Sequence, residues 1–449
     1  MNAQTVSEAV EKYLKLILEA ERHIWKNPET GFKEWKTHAY LKEKYLSLGY
    51  TLHEAGNIPG FYTDVDTGRP GPRVLVMGEL DSLIVRSHPE CDPETGAVHA
   101  CGHNAQSAAL LGIAAALKEP HMLDGLCGSI RLCAVPAEEL IEIEYRKKLI
   151  EDGVVSFMSG KTEFMARGFF DGCDMAFMVH TTSGEPRRLS CTRGSNGVIA
   201  KTFVYKGKAA HAGSSPNRGI NALYAANVGL TAVNALRETF PDGELIRFHP
   251  IVNEGGTAVN SIPDTVRLES YVRGTTFEAI VRENKKINRA LAAGAAALGA
   301  SLSISDSCGV APLVQDAGLY DIAKAAAEKT VPPENVRFHN NRGAGGTDLG
   351  DLCGVMPCLH PYASGAKGAA HGADYYISDP YSACVVSAKF QLNLLSGLLS
   401  DGAAGAKKVI AGFKPQFAGI KEYLDFRASL DRTFEAVSYA EDGAVTLNV

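Results

Sequence analysis

SIRLCAVPAEE, residues 129–139, joins an apolar run to a proline and two adjacent carboxylates, Glu138 and Glu139. So little polar alternation is the pattern of a strand buried on both faces, the kind found in parallel sheets. Similar runs lie on either side: RVLVMGEL at 73–80, with Asp81 just past its end, and MAFMV at 175–179, followed by His180. Between 80 and 129 stands NAQSAALLGIAAALK, residues 104–118, whose Ala and Leu content predicts a helix with Asn104 as its cap. This alternation predicts an α/β fold, a mostly parallel sheet with helices on both faces. Ligands in open sheets of that class sit beyond the carboxyl ends of the strands. Asp81, Glu138, Glu139 and His180 all fall at such ends.

The pattern changes after Leu189. Strands are predicted at 198–206, 244–251, 265–273 and 300–305, and helices at 220–240 and 276–298. The order βαββαβ is that of a ferredoxin-like α+β unit. The chain is therefore expected to hold a discontinuous catalytic domain, 1–188 and 307–449, interrupted by an inserted domain at 189–306. Helices are also predicted at 5–26, 319–329 and 382–399. After Ser400 comes a Gly/Ala-rich linker and a moderately helical tail.

At 449 residues, 45% hydrophobic and 21% charged, the composition is that of a folded globular protein. Lys and Arg total 45 against 51 Asp and Glu, a net charge of −6, which gives no reason to expect nucleic acid or an anionic membrane as partner. The first residues carry charges throughout and lack the apolar core of a signal peptide. No apolar run reaches the ~18 residues of a membrane span. The ten cysteines have no regular spacing, which fits reduced thiols in a cytoplasmic protein.

Other residues add chemistry. HACGH at 99–103 sets Cys101 and His103 in a loop ahead of a helix, where a thiolate and an imidazole can share a metal or form a nucleophilic pair. One of Glu138 and Glu139 can hold metal while the other moves a proton. His371 follows a Gly/Ala run. In the inserted domain His211, in GKAAHAG, is a candidate to stabilise an oxyanion. Asn260 and Arg273 are candidates to recognise a carboxylate. GAGGTD at 343–348 has the pattern of an anion-binding nest, without the Lys and spacing of a nucleotide loop.

Eight short motifs occur in one order: GELDSL (78–83), HACGHN (99–104), PAEE (136–139), MVH (178–180), GKAAHAG (207–213), GGTAVNSIPD (255–264), GGTDLGD (345–351) and AAHG (369–372). Together they resemble the M20 family of metallopeptidases and amidohydrolases, subfamily D. The match is nearest to the branch of p-aminobenzoyl-glutamate hydrolases and dipeptidase-like "M20 domain-containing 2" proteins. The resemblance implies that Cys101 bridges two divalent metals, Zn or Mn, with His103, Glu139, His180 and His371 completing the ligand set. It implies Glu138 as the general base and Asp81 as the carboxylate that orients a metal-binding side chain. The inserted domain resembles the family's dimerisation or lid domain. His211 is then expected at the neighbouring subunit's site in a homodimer, and Asn260 at the substrate. Asn104, Gln106 and Glu79 depart from the usual subfamily D pattern, and residues 141–164 and the tail after Ser400 are extra.

The expected activity is hydrolysis of the amide of an N-acyl, N-aroyl or N-aminoacyl amino acid, a small-molecule substrate. A dipeptidase or carboxypeptidase of the same mechanism is the near alternative. A Cys101 thiol hydrolase and a non-catalytic binding protein are the distant ones.

Overall fold

The run at 129–139 forms the strand Ser129–Val135, which pairs in parallel with Arg73–Glu79 from Arg73 opposite Ser129 to Glu79 opposite Val135. In this computed structural model, residues 1–343 and 345–449 are described. Arg73–Glu79 also pairs in parallel with Met175–Phe177, which pairs in parallel with Cys358–Leu359. Phe61–Asp66 and His53–Glu54 close the other side in antiparallel fashion, giving a six-stranded sheet. Past their first residue, Arg73–Glu79 and Ser129–Val135 are buried throughout, as strands covered on both faces must be. Alternate residues of Arg73–Glu79 face opposite ways. Val74 and Val76 join the main core with the His103–Ala116 helix, while Glu79 meets Lys161 of the Gly160–Ala166 helix.

Every residue of His103–Ala116 is buried. Its cap differs from the expectation. Gly102, at φ 89°, precedes the first turn, and Asn104 lies inside the helix, donating from Nδ2 to Glu21 Oε1 at 2.8 Å. A Cβ at 102 would lie 2.5 Å from the Tyr375 hydroxyl and would strain a left-handed backbone. Glycine is thus required there, and it starts the helix early enough to put His103 in its first turn.

The chain packs as two units. One comprises Met1–Gly194, Val314–Arg342 and Asp348–Lys421; the other comprises Ser195–Leu313, Gly343–Thr347 and Glu422–Val449. The second contains Gly197–Lys206, Thr265–Gly274 and Ser301–Val310, with the helices Ala222–Leu236 and Phe277–Leu298 on its core side. Thr265–Gly274 alternates half-buried and buried positions, as a sheet with one covered face does. The single strand expected at 244–251 is two short ones, Arg247–Phe248 and Ile251–Glu254, because Pro250 between them has no N–H for the ladder.

The tail is not simply helical. After the Ile420–Ala428 helix, Arg432–Glu435 adds to Ser301–Val310 as an antiparallel strand, so residues 422–449 pack with the second unit. The helix expected at 5–26 is two, Ala3–Lys12 and Leu14–Trp25, with Tyr13 between them outside helical geometry. One helical stretch among the described residues, Tyr381–Gly412, is long and apolar enough to cross a membrane by length and composition. It is 89% buried in the fold over its most apolar window, and non-helical dihedrals interrupt it from Ser400 to Ala403. Those features make it a core helix of the first unit.

Candidate metal centre

The ends of the parallel strands and the start of His103–Ala116 bring the candidate donors together in the first unit. Cys101, His103 and His180 offer ligand atoms within 4.8 Å of one another, and so do Cys101, Glu139 and His371. Cys101 belongs to both sets. His103, Glu138 and Glu139 form a further such group, which puts Glu138 beside the donors without being in either Cys101 set.

The donors are held from behind. Nδ1 of His103 donates to the Asp81 backbone carbonyl at 3.0 Å and lies 3.1 Å from its Oδ1. Asp81 Oδ2 accepts from the Glu139 N–H at 2.9 Å, so this one carboxylate sets the direction of two candidate ligands. Nδ1 of His180 donates to the Thr181 carbonyl at 2.7 Å, leaving the Nε2 lone pair 3.4 Å from Cys101 Sγ. His371 sits at φ 64°, its N–H bonded to the Ala100 carbonyl at 2.8 Å, and its Nε2 is 3.1 Å from Glu139 Oε1.

His103 Nε2 is 3.2 Å from Glu79 Oε2 and Glu139 Oε1 is 3.1 Å from His371 Nε2, but neither buried atom is in hydrogen-bond geometry with its neighbour. Such atoms are costly unless something pairs with them. A thiol, three imidazoles and a carboxylate converging with inward lone pairs are the donor chemistry of zinc and related divalent ions. The residues present therefore fit divalent ions of this kind, with Cys101 in both donor sets. Burial, with the carboxylates of Glu139 and Glu138, pushes the Cys101 thiol well above its ordinary range. The neighbouring groups by themselves do not make it a free nucleophilic thiolate.

Glu138 lies in a second acidic group with Glu79 and Asp348. Burial and the like charges of Glu79, Glu139 and Asp348 push its carboxyl well up, against the pull of Lys161. Lys161 carries no signal in the motifs; Asp348 stands in the GGTDLGD motif and Glu79 in GELDSL, but neither motif names their shared ammonium. His360 is likewise new: it is buried, with its ring 5.6 Å from that of His180.

The second unit holds the remaining candidates. His211 is exposed, and its Nδ1 accepts from the N–H groups of Gly213 and Ser214 at 3.1 Å. The Asn260 carbonyl accepts from the Ala212 N–H at 2.9 Å, so the His211 and Asn260 loops are neighbours. Arg273 is near the far end of Thr265–Gly274, about 26 Å along that strand from Thr265 at ~3.3 Å per residue. There it meets His249, Nε to Nε2 at 3.3 Å, and lies over the Tyr271 ring. Of the expected nest at 343–348, Ala344 lies outside the described residues.

The model of peptidase family M20/M25/M40 matches residues 75–396. The chain is 29% identical over 329 residues to the N-acetyl-L-cysteine deacetylase of Bacillus subtilis, covering 70% of this chain and 73% of that one. It is 28% identical over 376 residues to the Xaa-Arg dipeptidase of Mus musculus, covering 80% and 78%. A dinuclear metal-binding peptidase of family M20 from Bacillus subtilis has the same fold, with a TM-score of 0.67 at 18% identity over 87% of this chain and 99% of that one. The chain belongs to peptidase family M20/M25/M40 and is a hydrolase of that family.

Proposed function

We propose that this M20-family hydrolase is a two-metal amidohydrolase that releases a free amino acid from an N-acyl, N-aroyl or N-aminoacyl conjugate. The observation that carries it is the pair of donor triplets sharing Cys101, with Glu138 adjacent and outside both. Cys101, His103 and His180 would hold one ion, and Cys101, Glu139 and His371 the other. Zinc or manganese suits these donors. When bound, such ions polarise an amide carbonyl and acidify water.

The chain's own residues do the rest. Glu138 takes the proton of the attacking water and returns it to the departing nitrogen. The raised affinity of its buried carboxyl for a proton suits the second half of that task. Asp81 fixes His103 and the Glu139 backbone so that Glu138 and the ligands keep their relative positions. In a homodimer formed through the inserted unit, His211 stabilises the oxyanion at the neighbouring subunit's centre. Asn260 binds the substrate's α-carboxylate; Arg273, at the other end of its strand against His249, is too far from Asn260 to share that contact. The protein works in the cytoplasm, where its thiols stay reduced.

The dipeptidase among the relatives supports an aminoacyl group as acyl donor, and the deacetylase supports an acetyl group. A mass-spectrometric screen of zinc- and manganese-reconstituted protein separates them, using N-acetyl, long-chain acyl, indole-acetyl and p-aminobenzoyl conjugates and β-alanyl dipeptides. Hydrolysis is expected to vanish on chelation and return with metal. Turnover that survives exhaustive chelation, in protein free of metal by mass spectrometry, overturns the proposal.

A further inference from the structure

The segment after Glu139 carries two buried cations that no step above uses. It holds the helices Ile143–Glu151 and Gly160–Ala166, and both Arg146 and Lys161 are 0% exposed. Burying two cations is expensive unless each is fully paired. Their partners are the backbone and side chains around Glu138.

Arg146 grips the loop. Its guanidinium donates to the Glu139 carbonyl, to the Ala137 carbonyl at 3.5 Å and to the Met158 carbonyl at 2.6 Å. It passes so close to Gly31 that a Cβ there would lie 2.4 Å from Arg146 Nη2. Ala137 has φ 54°, a left-handed backbone that costs a non-glycine residue about 1–2 kcal/mol. Its N–H is held by Glu34 Oε1 at 2.7 Å, and its carbonyl accepts from the Gly160 N–H at 3.0 Å. That turn lies immediately before Glu138 and Glu139.

Lys161 stands on the other side of Glu138. Its ammonium bonds Glu79 Oε1 at 2.5 Å and Asp348 Oδ1, and its own N–H donates to Asp348 Oδ2 at 3.1 Å. Glu79, Asp348 and Glu138 have oxygens within 4.8 Å of one another. Without the ammonium, Glu138 would face two unneutralised carboxylates.

We propose that Arg146 and Lys161 are positioning residues that divide the work of the adjacent glutamates. Arg146 aims Glu139 at the metals through its backbone carbonyl, and Lys161 keeps Glu138 aimed at the substrate's reacting atoms by holding Glu79 and Asp348. The inference rests on the roles given above to Glu138 and Glu139.

The test uses full-length protein loaded with cobalt(II), whose absorption reports ligand geometry, together with kinetics on whichever conjugate of the screen the wild type hydrolyses. Arg146→Met is expected to weaken cobalt binding about 10- to 100-fold and alter its spectrum, with Arg146→Lys between. Lys161→Met is expected to keep wild-type cobalt affinity and KM within about threefold, and to lose kcat about 100-fold, with part recovered in Lys161→Arg. If Lys161→Met does not fold, the double variant Lys161→Met, Asp348→Asn removes one charge of each sign and carries the same expectation. Unchanged cobalt affinity and spectrum in Arg146→Met overturn the Arg146 half. Unchanged kcat, or a crystal structure of the Lys161 variant with Glu138 undisplaced, overturns the other. A wild type that binds cobalt yet hydrolyses no conjugate defeats the functional proposal instead, and the spectra and that crystal structure still decide the positioning roles.

Discussion

Each unit buries one lysine completely, and the two lysines keep different company. Lys161, in the first unit, bonds Glu79 and Asp348 with Glu138 close by. Lys201, in the second, bonds Asp306 and accepts no further charge partner; Asn288 Oδ1 takes its other hydrogen bond at 2.7 Å. Asn284 Nδ2 donates to Asp306 at 2.8 Å, and Asn288 Nδ2 and Arg432 reach the same carboxylate at 3.3 Å. Burial lowers the affinity of either ammonium for its proton. Around Lys161 the carboxylates of Asp348, Glu79 and Glu138 overcome that and hold it above the ordinary lysine range. Around Lys201 burial wins over Asp306, and the ammonium is pulled down to about 8. Three carboxyl groups around one ammonium leave a surplus of carboxyls next to the donors for cations, and the crowding pushes Glu138 and Asp348 toward their protonated forms. Around Lys201 there is no surplus, since Asp306 is shared by that ammonium and Arg432. Crowded like groups mark a centre built for chemistry, whereas a satisfied carboxylate marks a scaffold.

The largest test of that contrast is Glu138→Ala. It should lower kcat on the order of 10²- to 10⁴-fold while both metals stay bound, read by steady-state kinetics and elemental mass spectrometry. Near-normal kcat would remove the chemistry from the surplus side. Next is Lys201→Met, which removes the buried cation from Asp306 and leaves it Arg432 and two asparagines. It should cost the second unit about 3–5 kcal/mol in hydrogen exchange yet leave kcat per folded molecule unchanged. A fall in kcat at constant folded fraction would mean that the Lys201–Asp306 cluster is no mere scaffold.

A pH series on chelated protein should move the units in opposite directions. Burial lifts Asp348 to about 7 from its ordinary 3.8, Lys161 opposing. The folded state then binds the extra proton, so this group's contribution to stability falls as pH rises from about 3.8 to about 7. Against burial, Lys201, Asn284 and Asn288 hold Asp306 below 3.8. Its contribution is present above 3.8 and is lost as pH falls through the lowered value. Exchange protection that drops in both units over the same window would erase the distinction. The smallest effect belongs to Arg432→Ala. Arg432 reaches Asp306 at 3.3 Å from a side chain 44% exposed, and its loss should cost about 0.5 kcal/mol or less in thermal unfolding.

The sequence carried the donors because each stands at a strand end or beside a glycine, and because eight short patterns keep their order. Cys101, His103, Glu139, His180 and His371 were found that way, and the structure brings their ligand atoms together. The order of strands and helices also foretold a parallel α/β sheet and a separate antiparallel α+β sheet, but not that 343–347 and 422–449 pack with the second. The partners of the donors left no such trace. Arg146 and Lys161 lie in a charged stretch where a buried cation looks like a solvated one, and their bonds run to backbone carbonyls and to residues as distant as Asp348. The pairing of Arg432–Glu435 with Ser301–Val310 was equally invisible, since a short strand far along the chain has no periodicity that names its neighbour. Asn104 misled because an Asn before an Ala-rich run is an ordinary cap. The close approach of Tyr375, which demands glycine at 102, is a fact of packing.

The strand Arg432–Glu435 also occupies the hydrogen-bonding border of Ser301–Val310 from Ser303 to Asp306. The edge of that sheet is then Arg432–Glu435 itself, only four residues long and with the charged Arg432 and Glu435 exposed. A margin so short and so charged is a poor template for a foreign strand.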